Sequence, residues 1–225
     1  MVRVTRIPAV DRILHSVVPG IPIDRSALDR LLAGRPAPDA LLPLLADHDP
    51  QTVRAAVLYL GLYGSVRECP LLALCLQHAD HAVVALAEHC LWAIWMRGGS
   101  AEGNARLADA IALARVGNHE GAIQLLSTLT VLEPAFSEAH FQLGLALAAI
   151  DRNDEAVRSF RQTMRLNPYH FAASAALGHA YVALGNLRGA LHAYRQALKI
   201  HPHLEDVPRA VAELRTLVGQ RRKGA

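Results

Sequence analysis

Val131-Leu132-Glu133-Pro134 returns 34 positions later as Arg165-Leu166-Asn167-Pro168, and again at the same interval as Lys199-Ile200-His201-Pro202. Each proline ends a helix and opens a turn, because it lacks an amide hydrogen and drives the residue before it out of the helical region. Counting back from each proline, the same offsets give Ala122, Ala156 and Ala190, and four positions further on the large Leu126, Phe160 and Tyr194. The preceding helix of each unit repeats Ala110, Gly144 and Gly178, with Leu113, Leu147 and Tyr181 three positions later. Small side chains in fixed columns let paired helices approach closely, and the bulky ones fill the space between neighbouring units. A period of this length belongs to stacked helical repeats, whose units bury a core only by packing on one another.

Leu143-Gly144, Ala156, Phe160 and Pro168 resemble the tetratricopeptide repeat, and so do Leu177-Gly178, Tyr181, Gly185, Ala190, Tyr194, Ala197 and Pro202. That family has a Leu-Gly pair in its first helix, a Gly before its second, an Ala and an aromatic in the second, and a closing Pro. An earlier unit, Gly103 to Phe136, keeps Gly117, Ala122 and Pro134 but places Arg106 and Asp109 where the family has large apolar residues. Beyond Pro202, Val207, Val211, Leu214 and Val218 lie at helical spacing in Glu205 to Val218. This segment reads as the solvating cap that a terminal repeat needs, with Gly219 as its stop.

The first hundred residues carry a second pattern. Asp49-Pro50-Gln51-Thr52-Val53-Arg54-Ala55-Ala56 with Leu60-Gly61 resembles the HEAT-like repeat of the phycobilisome-lyase type, in which an Asp turn leads into Val-Arg-x-x-Ala and Leu-Gly. Asp80, Val84, Ala87 and Leu91 repeat it at a constant offset from Asp49, Val53, Ala56 and Leu60, with Ala85 in place of the arginine and Trp92 in place of the glycine. Leu41 to Leu45 and Cys69 to Leu76 supply the preceding helices. Upstream, Asp24 N-caps a helix to Leu32 with Gly34 as its stop; residues 1–22 have no clear place beyond one short helix, Val10 to Val17. The expected organisation is an N-terminal segment (1–22), HEAT-like repeats (23–97), a Gly/Ser connector (98–103), three tetratricopeptide units with a cap (104–218) and a basic tail (219–225). The fold class is all-α, an α-solenoid of stacked antiparallel helix pairs.

Composition agrees. The 225 residues are 52% hydrophobic but only 5% aromatic, a mixture that suits closely packed helices. The longest apolar runs fall short of the roughly 20 residues needed to cross a bilayer. With no apolar stretch behind the first arginines and no C-x-x-C spacing among Cys69, Cys75 and Cys90, the expectation is a soluble cytoplasmic chain without disulfides.

No phosphate loop, Gly-x-Ser-x-Gly or His-Glu-x-x-His occurs, so no catalytic residue and no cofactor are expected. Cys75, His78, His81, His89 and Cys90 crowd one stretch, and zinc or copper is geometrically conceivable there, but buried cysteines and turn-flanking histidines explain it without metal. Trp92 and Trp95 read as core rather than as an aromatic binding spot.

The tetratricopeptide resemblance implies a concave groove lined by first-helix residues: Leu107, Ile111 and Ala114, then Phe141, Gln142, Leu145 and Ala149, then Ala175, Ala176, His179 and Val182. The wall is mostly apolar. Family members that grip a chaperone's C-terminal carboxylate do so with Lys, Arg and Asn, where Leu107, Ile111, Ala172 and Ala176 stand here. On the outer face, Arg158, Arg161 and Arg165 align with His192, Arg195 and Lys199 as a basic stripe. The expected function is a non-enzymatic scaffold that binds a peptide or amphipathic helix of another protein. An RNA- or anion-binding solenoid using the stripe, or an accessory factor to an enzyme, is the alternative. Absence of interleaved aromatics argues against nucleic acid as the main ligand.

Overall fold

The computed structural model describes residues 23–223, which hold helices and no strand. The expected N-terminal segment and its short helix lie outside the described residues. The chain divides between Trp95 and Met96 into two compact units.

In the first unit, Asp24 caps α1 (Arg25–Gly34) by accepting the Ala27 amide at 3.0 Å. That bond and one from Ser26 hold its carboxyl below the ordinary carboxylate range. The stop expected at Gly34 falls one position later: Gly34 is helical and Arg35 takes the left-handed turn, φ 43°, with Pro36 barring continuation. Two successions of a short and a longer helix follow, α2 (Leu42–Leu45) then α3 (Pro50–Tyr63), and α4 (Cys69–Cys75) then α5 (His81–Met96), each short helix being led in by a 3-10 turn. Helix α3 is enclosed from Val53 to Gly61, and a side chain at Gly61 would collide with Cys90 of α5.

Asp49 receives the Gln51 and Thr52 amides, and Asp80, its counterpart in the second copy, receives those of Ala82 and Val83. Arg54 joins the two copies through a 2.6 Å ion pair to Asp80. Burial opposes ionisation of Asp80, but the Val83 amide and the Arg54 guanidinium outweigh it and its pKa falls. Ala85, where the second copy lacks the arginine, is exposed.

The second unit stacks α6 (Ala101–Arg115), α7 (His119–Leu132), α8 (Ser137–Ala148), α9 (Asn153–Leu166), α10 (Phe171–Ala183), α11 (Leu187–Ile200) and α12 (Val207–Lys223). Helix α6 begins inside the expected 98–103 connector, since Ser100 accepts the Gly103 amide as its N-cap and brings residues 101–103 into the helix. Arg106, where the repeat resemblance calls for a large apolar residue, makes a surface pair with Glu102 one turn away. At the other end, α12 runs through Gly219 to Lys223. A helical glycine costs only about 1 kcal/mol, and the Gln-Arg-Arg-Lys that follows favours helix.

The repeat columns do what their sizes dictate. Ala110, Ala122, Ala156 and Ala190 are wholly buried, and Leu126, Phe160 and Tyr194 each retain 1% exposure. Between helices of a pair, the left-handed residues are Gly117 (φ 79°), Asp151 (φ 59°) and Gly185 (φ 71°), which recur with the period of the prolines. Asp is among the few side chains that tolerate this region, which is why unit two turns like its neighbours without a glycine. Asn118 and Asn186 then cap α7 and α11; Arg152 occupies the same site before α9 and pairs with Glu155 at 2.6 Å instead.

Of the residues before the repeat prolines, Asn167 and His201 leave the helix in an extended direction. Asn167 and His201 are buried there, and Glu133 turns back to bond Ser100. Replacing Ala156 by leucine should overpack the α8–α9 pair and lower stability by about 1 to 3 kcal/mol, read as a lower urea midpoint; an unchanged midpoint would disprove this register.

Candidate partner-binding groove

Within the second unit, successive first helices touch one another, α6 with α8 and α8 with α10, whereas the second helices make fewer contacts across units. First helices therefore line the inner side and second helices splay on the outer side, as unequal spacing in a stack requires.

On the inner side, two columns of first-helix residues run across the units: Ile111, Leu145 and His179, and one turn later Ala114, Ala148 and Val182. Leu145 is 39% and Val182 41% exposed, large values for aliphatic side chains, and Ile111 is half-buried between them and the core. Ala149 is exposed beside Leu145. His179 lies open to solvent on one side, while Tyr194 Oη and its Nδ1 share a hydrogen bond of 2.8 Å. Partial burial lowers the His179 pKa, against a weaker opposing pull from Asp206, and burial raises that of Tyr194. His179 is a polar contact in an otherwise apolar wall.

Two residues expected in the wall are not part of it. Leu107 is fully enclosed, and Phe141, 4% exposed, packs its ring 6.0 Å from that of Phe160 and 4.5 Å from that of His170. Both sit where the inner columns meet the interior, so their size stabilises packing. Gln142 is half-buried and donates to Glu138 at 2.7 Å.

That Glu138 is the group sequence reasoning missed. It has no exposure, and neither has His170, whose Nε2 lies 3.1 Å from the carboxylate. The Ala173 amide donates to His170 Nδ1, which makes His170 the N-cap of α10 and fixes the ring proton on Nε2, pointed at Glu138. A signal existed: His170 aligns with Phe136 and Leu204, an apolar column, and a histidine in such a column requires a buried partner.

On the outer side, Arg158, Arg161, Arg165, Arg195 and Lys199 are all exposed, as the stripe required. The first three border an open cleft of about 980 Å³ between α9 and α11, floored by Leu177 and Tyr181 of α10.

Among the described residues, no three of His, Cys, Asp and Glu come together as a metal site requires. Cys69, Cys75 and Cys90 are buried free thiols, and burial pushes the Cys75 pKa up to about 12. His78 instead accepts the Asp80 amide at 2.9 Å. Trp95 is completely buried, with the half-buried Trp92 set edge-on at 5.0 Å. No described helix is long and apolar enough to cross a membrane.

Residues 137–170 and 171–204 each match a tetratricopeptide-repeat family model. No curated protein matches the chain. Solved structures with this fold include the first tetratricopeptide domain of Spaghetti (RPAP3) bound to an HSP90 peptide, at 16% identity and TM-score 0.52, aligned over 54% of this chain and 96% of that one. The Sgt2 tetratricopeptide domain of Aspergillus fumigatus aligns at 16% identity and TM-score 0.52 over 55% of this chain and 83% of its own. The Yersinia enterocolitica type III secretion chaperone SycD, in complex with a peptide of the translocator YopD, aligns at 16% identity and TM-score 0.50 over 53% and 97%. At these identities the likeness is one of fold: a tetratricopeptide-type helical solenoid.

Proposed function

We propose that this chain is a non-enzymatic interaction scaffold whose second unit takes an apolar peptide or amphipathic helix of a partner protein in the inner groove. The observation that carries this reading is the exposed apolar row of Leu145 and Val182, flanked by Ile111 and Ala149, on the face where the first helices converge. Exposed aliphatics aligned at helical spacing on rigid elements match what a partner helix presents at its own i, i+3, i+4 positions. That the Spaghetti and SycD structures hold peptides supports the general mode. The family's carboxylate clamp is absent, because Ile111, Ala172 and Ala176 offer no charge, so the ligand differs from a chaperone tail. His179 supplies one polar contact within the apolar wall.

Residues 23–97 we read as HEAT-like. The repeated Asp caps at Asp49 and Asp80 and the Arg54–Asp80 link between copies support that reading. Three buried free cysteines fit a reducing, cytoplasmic setting.

Leu145→Asp tests the groove. A charge placed among apolar contacts loses the burial of a leucine and adds a desolvation cost, so partner affinity should fall about a hundredfold or more with helicity unchanged. Affinity capture with wild-type and variant protein, after nuclease treatment, followed by mass spectrometry, reads the effect. The reading fails if the captured proteins are the same in both.

A further inference from the structure

We propose that the outer cleft between α9 and α11 is a second binding site, for an acidic segment of a partner protein that places two or more side-chain carboxylates between the two helices. The site is independent of the inner groove, being built from the opposite faces of the repeats.

The cleft exists because the second helices splay, and basic side chains stand on both of its walls. Arg158, Arg161 and Arg165 line it from α9; Arg188 and His192 line it from α11. The nearest acid on α9, Glu155, is committed to Arg152 at 2.6 Å and lies 3.8 Å from Arg158. Among the described residues no carboxylate pairs with Arg161, Arg165 or Arg188. Two of these are already oriented: the Arg161 guanidinium lies 5.7 Å from the Tyr181 ring centre, and Arg165 donates to Gln162. Guanidinium groups held this way lose less freedom on engaging a carboxylate, and their paired N–H groups match its two oxygens. The start of α11 also borders the cleft, with Asn186 capping the Gly189 amide, and the positive end of a helix favours an anion.

The extent of the charge selects the ligand. In the repeat at 103–136 the positions matching Arg158, Arg161 and Arg165 are Gln124, Ser127 and Val131, all exposed, so the basic track is confined to the two repeats that follow. The stretch of helix from Arg158 to Arg165 covers roughly 10 Å, the length of about three extended peptide residues. A nucleic acid strand would call for a longer track and open aromatic platforms. Here the tyrosine in the cleft, Tyr181, is 9% exposed and covered by Arg161.

The probe is fluorescein-labelled hexaglutamate, titrated with the full chain at moderate salt and followed by anisotropy. Saturable binding of one peptide per chain is expected. The double variant Arg161→Gln/Arg188→Gln removes one cation from each wall and should weaken binding about tenfold or more. Arg115→Gln/Arg215→Gln, which removes the same charge from exposed sites outside the cleft and outside the stripe, should change it by less than about twofold. Leu145→Asp should leave it unaltered, whatever that variant does to groove ligands. Circular dichroism checks that all variants keep their helicity. The proposal is overturned by an absence of saturable binding, by equal losses in the two double variants, or by an oligothymidylate of matched charge binding the wild type more tightly than the peptide.

Discussion

Valine at position 178 should lower the thermal midpoint of the repeat unit by roughly 10 °C, equivalent to about 3 kcal/mol. Gly178 faces Tyr194, and a Cβ built there would lie 2.5 Å from Cδ1 of the ring, well inside van der Waals contact. The ring cannot move aside cheaply. It retains 1% exposure, and its hydroxyl is anchored to His179 at 2.8 Å. Taking glycine out of a helix ordinarily gains up to about 1 kcal/mol, so the overpacking must exceed that gain for the net effect to be a loss. Gly144 against Phe160 is the same contact one unit earlier, with no hydroxyl tether. Gly144→Val should therefore be the milder variant. Differential scanning calorimetry of the pair checks both the sign and the order; a stabilised Gly178→Val protein would contradict the packing described here.

Glu138→Ala should cost about 3 kcal/mol. The substitution leaves the His170 Nε2–H and the Gln142 amide facing an apolar interior with no acceptor, and the full desolvation penalty of buried donors then applies. It also loosens the link between α8 and α10, because His170 caps α10 through its other nitrogen. Glu138→Gln is the informative companion. A glutamine can still accept one of the two bonds, but its amide group then opposes another donor, unless His170 changes tautomer and gives up the Ala173 cap. An intermediate loss is expected. In a double-mutant cycle, Glu138→Ala with His170→Ala should show a coupling of about 1 kcal/mol or more, measured by urea unfolding. Glu138→Ala within about 0.5 kcal/mol of wild type would mean that the pair contributes little.

These two variants also mark what each level of information reveals. The small and large columns that meet at Gly178 and Tyr194 were legible in the sequence, because they recur with every repeat, but the sequence reading placed the large residues between units, whereas Tyr194 packs on Gly178 within one pair. The second unit's helix pairs, their turns and the buried alanine columns follow from that period alone. So does the exposure of Leu145 and Val182, since helical spacing sets which face a residue occupies.

Only the tertiary structure decided the rest. Burial of Leu107 and Phe141 depends on how closely the first helices converge, which the repeat pattern does not specify. The Glu138–His170 pair joins residues of different columns on different helices, so no periodicity connects them. The outer cleft arises from the splay of α9 and α11. It brings Arg188, which aligns with an acidic Asp154 one unit earlier, opposite the arginines of α9. A repeat sequence determines its own helices because each is specified locally, whereas the spaces between helices are set by the sum of many packing contacts.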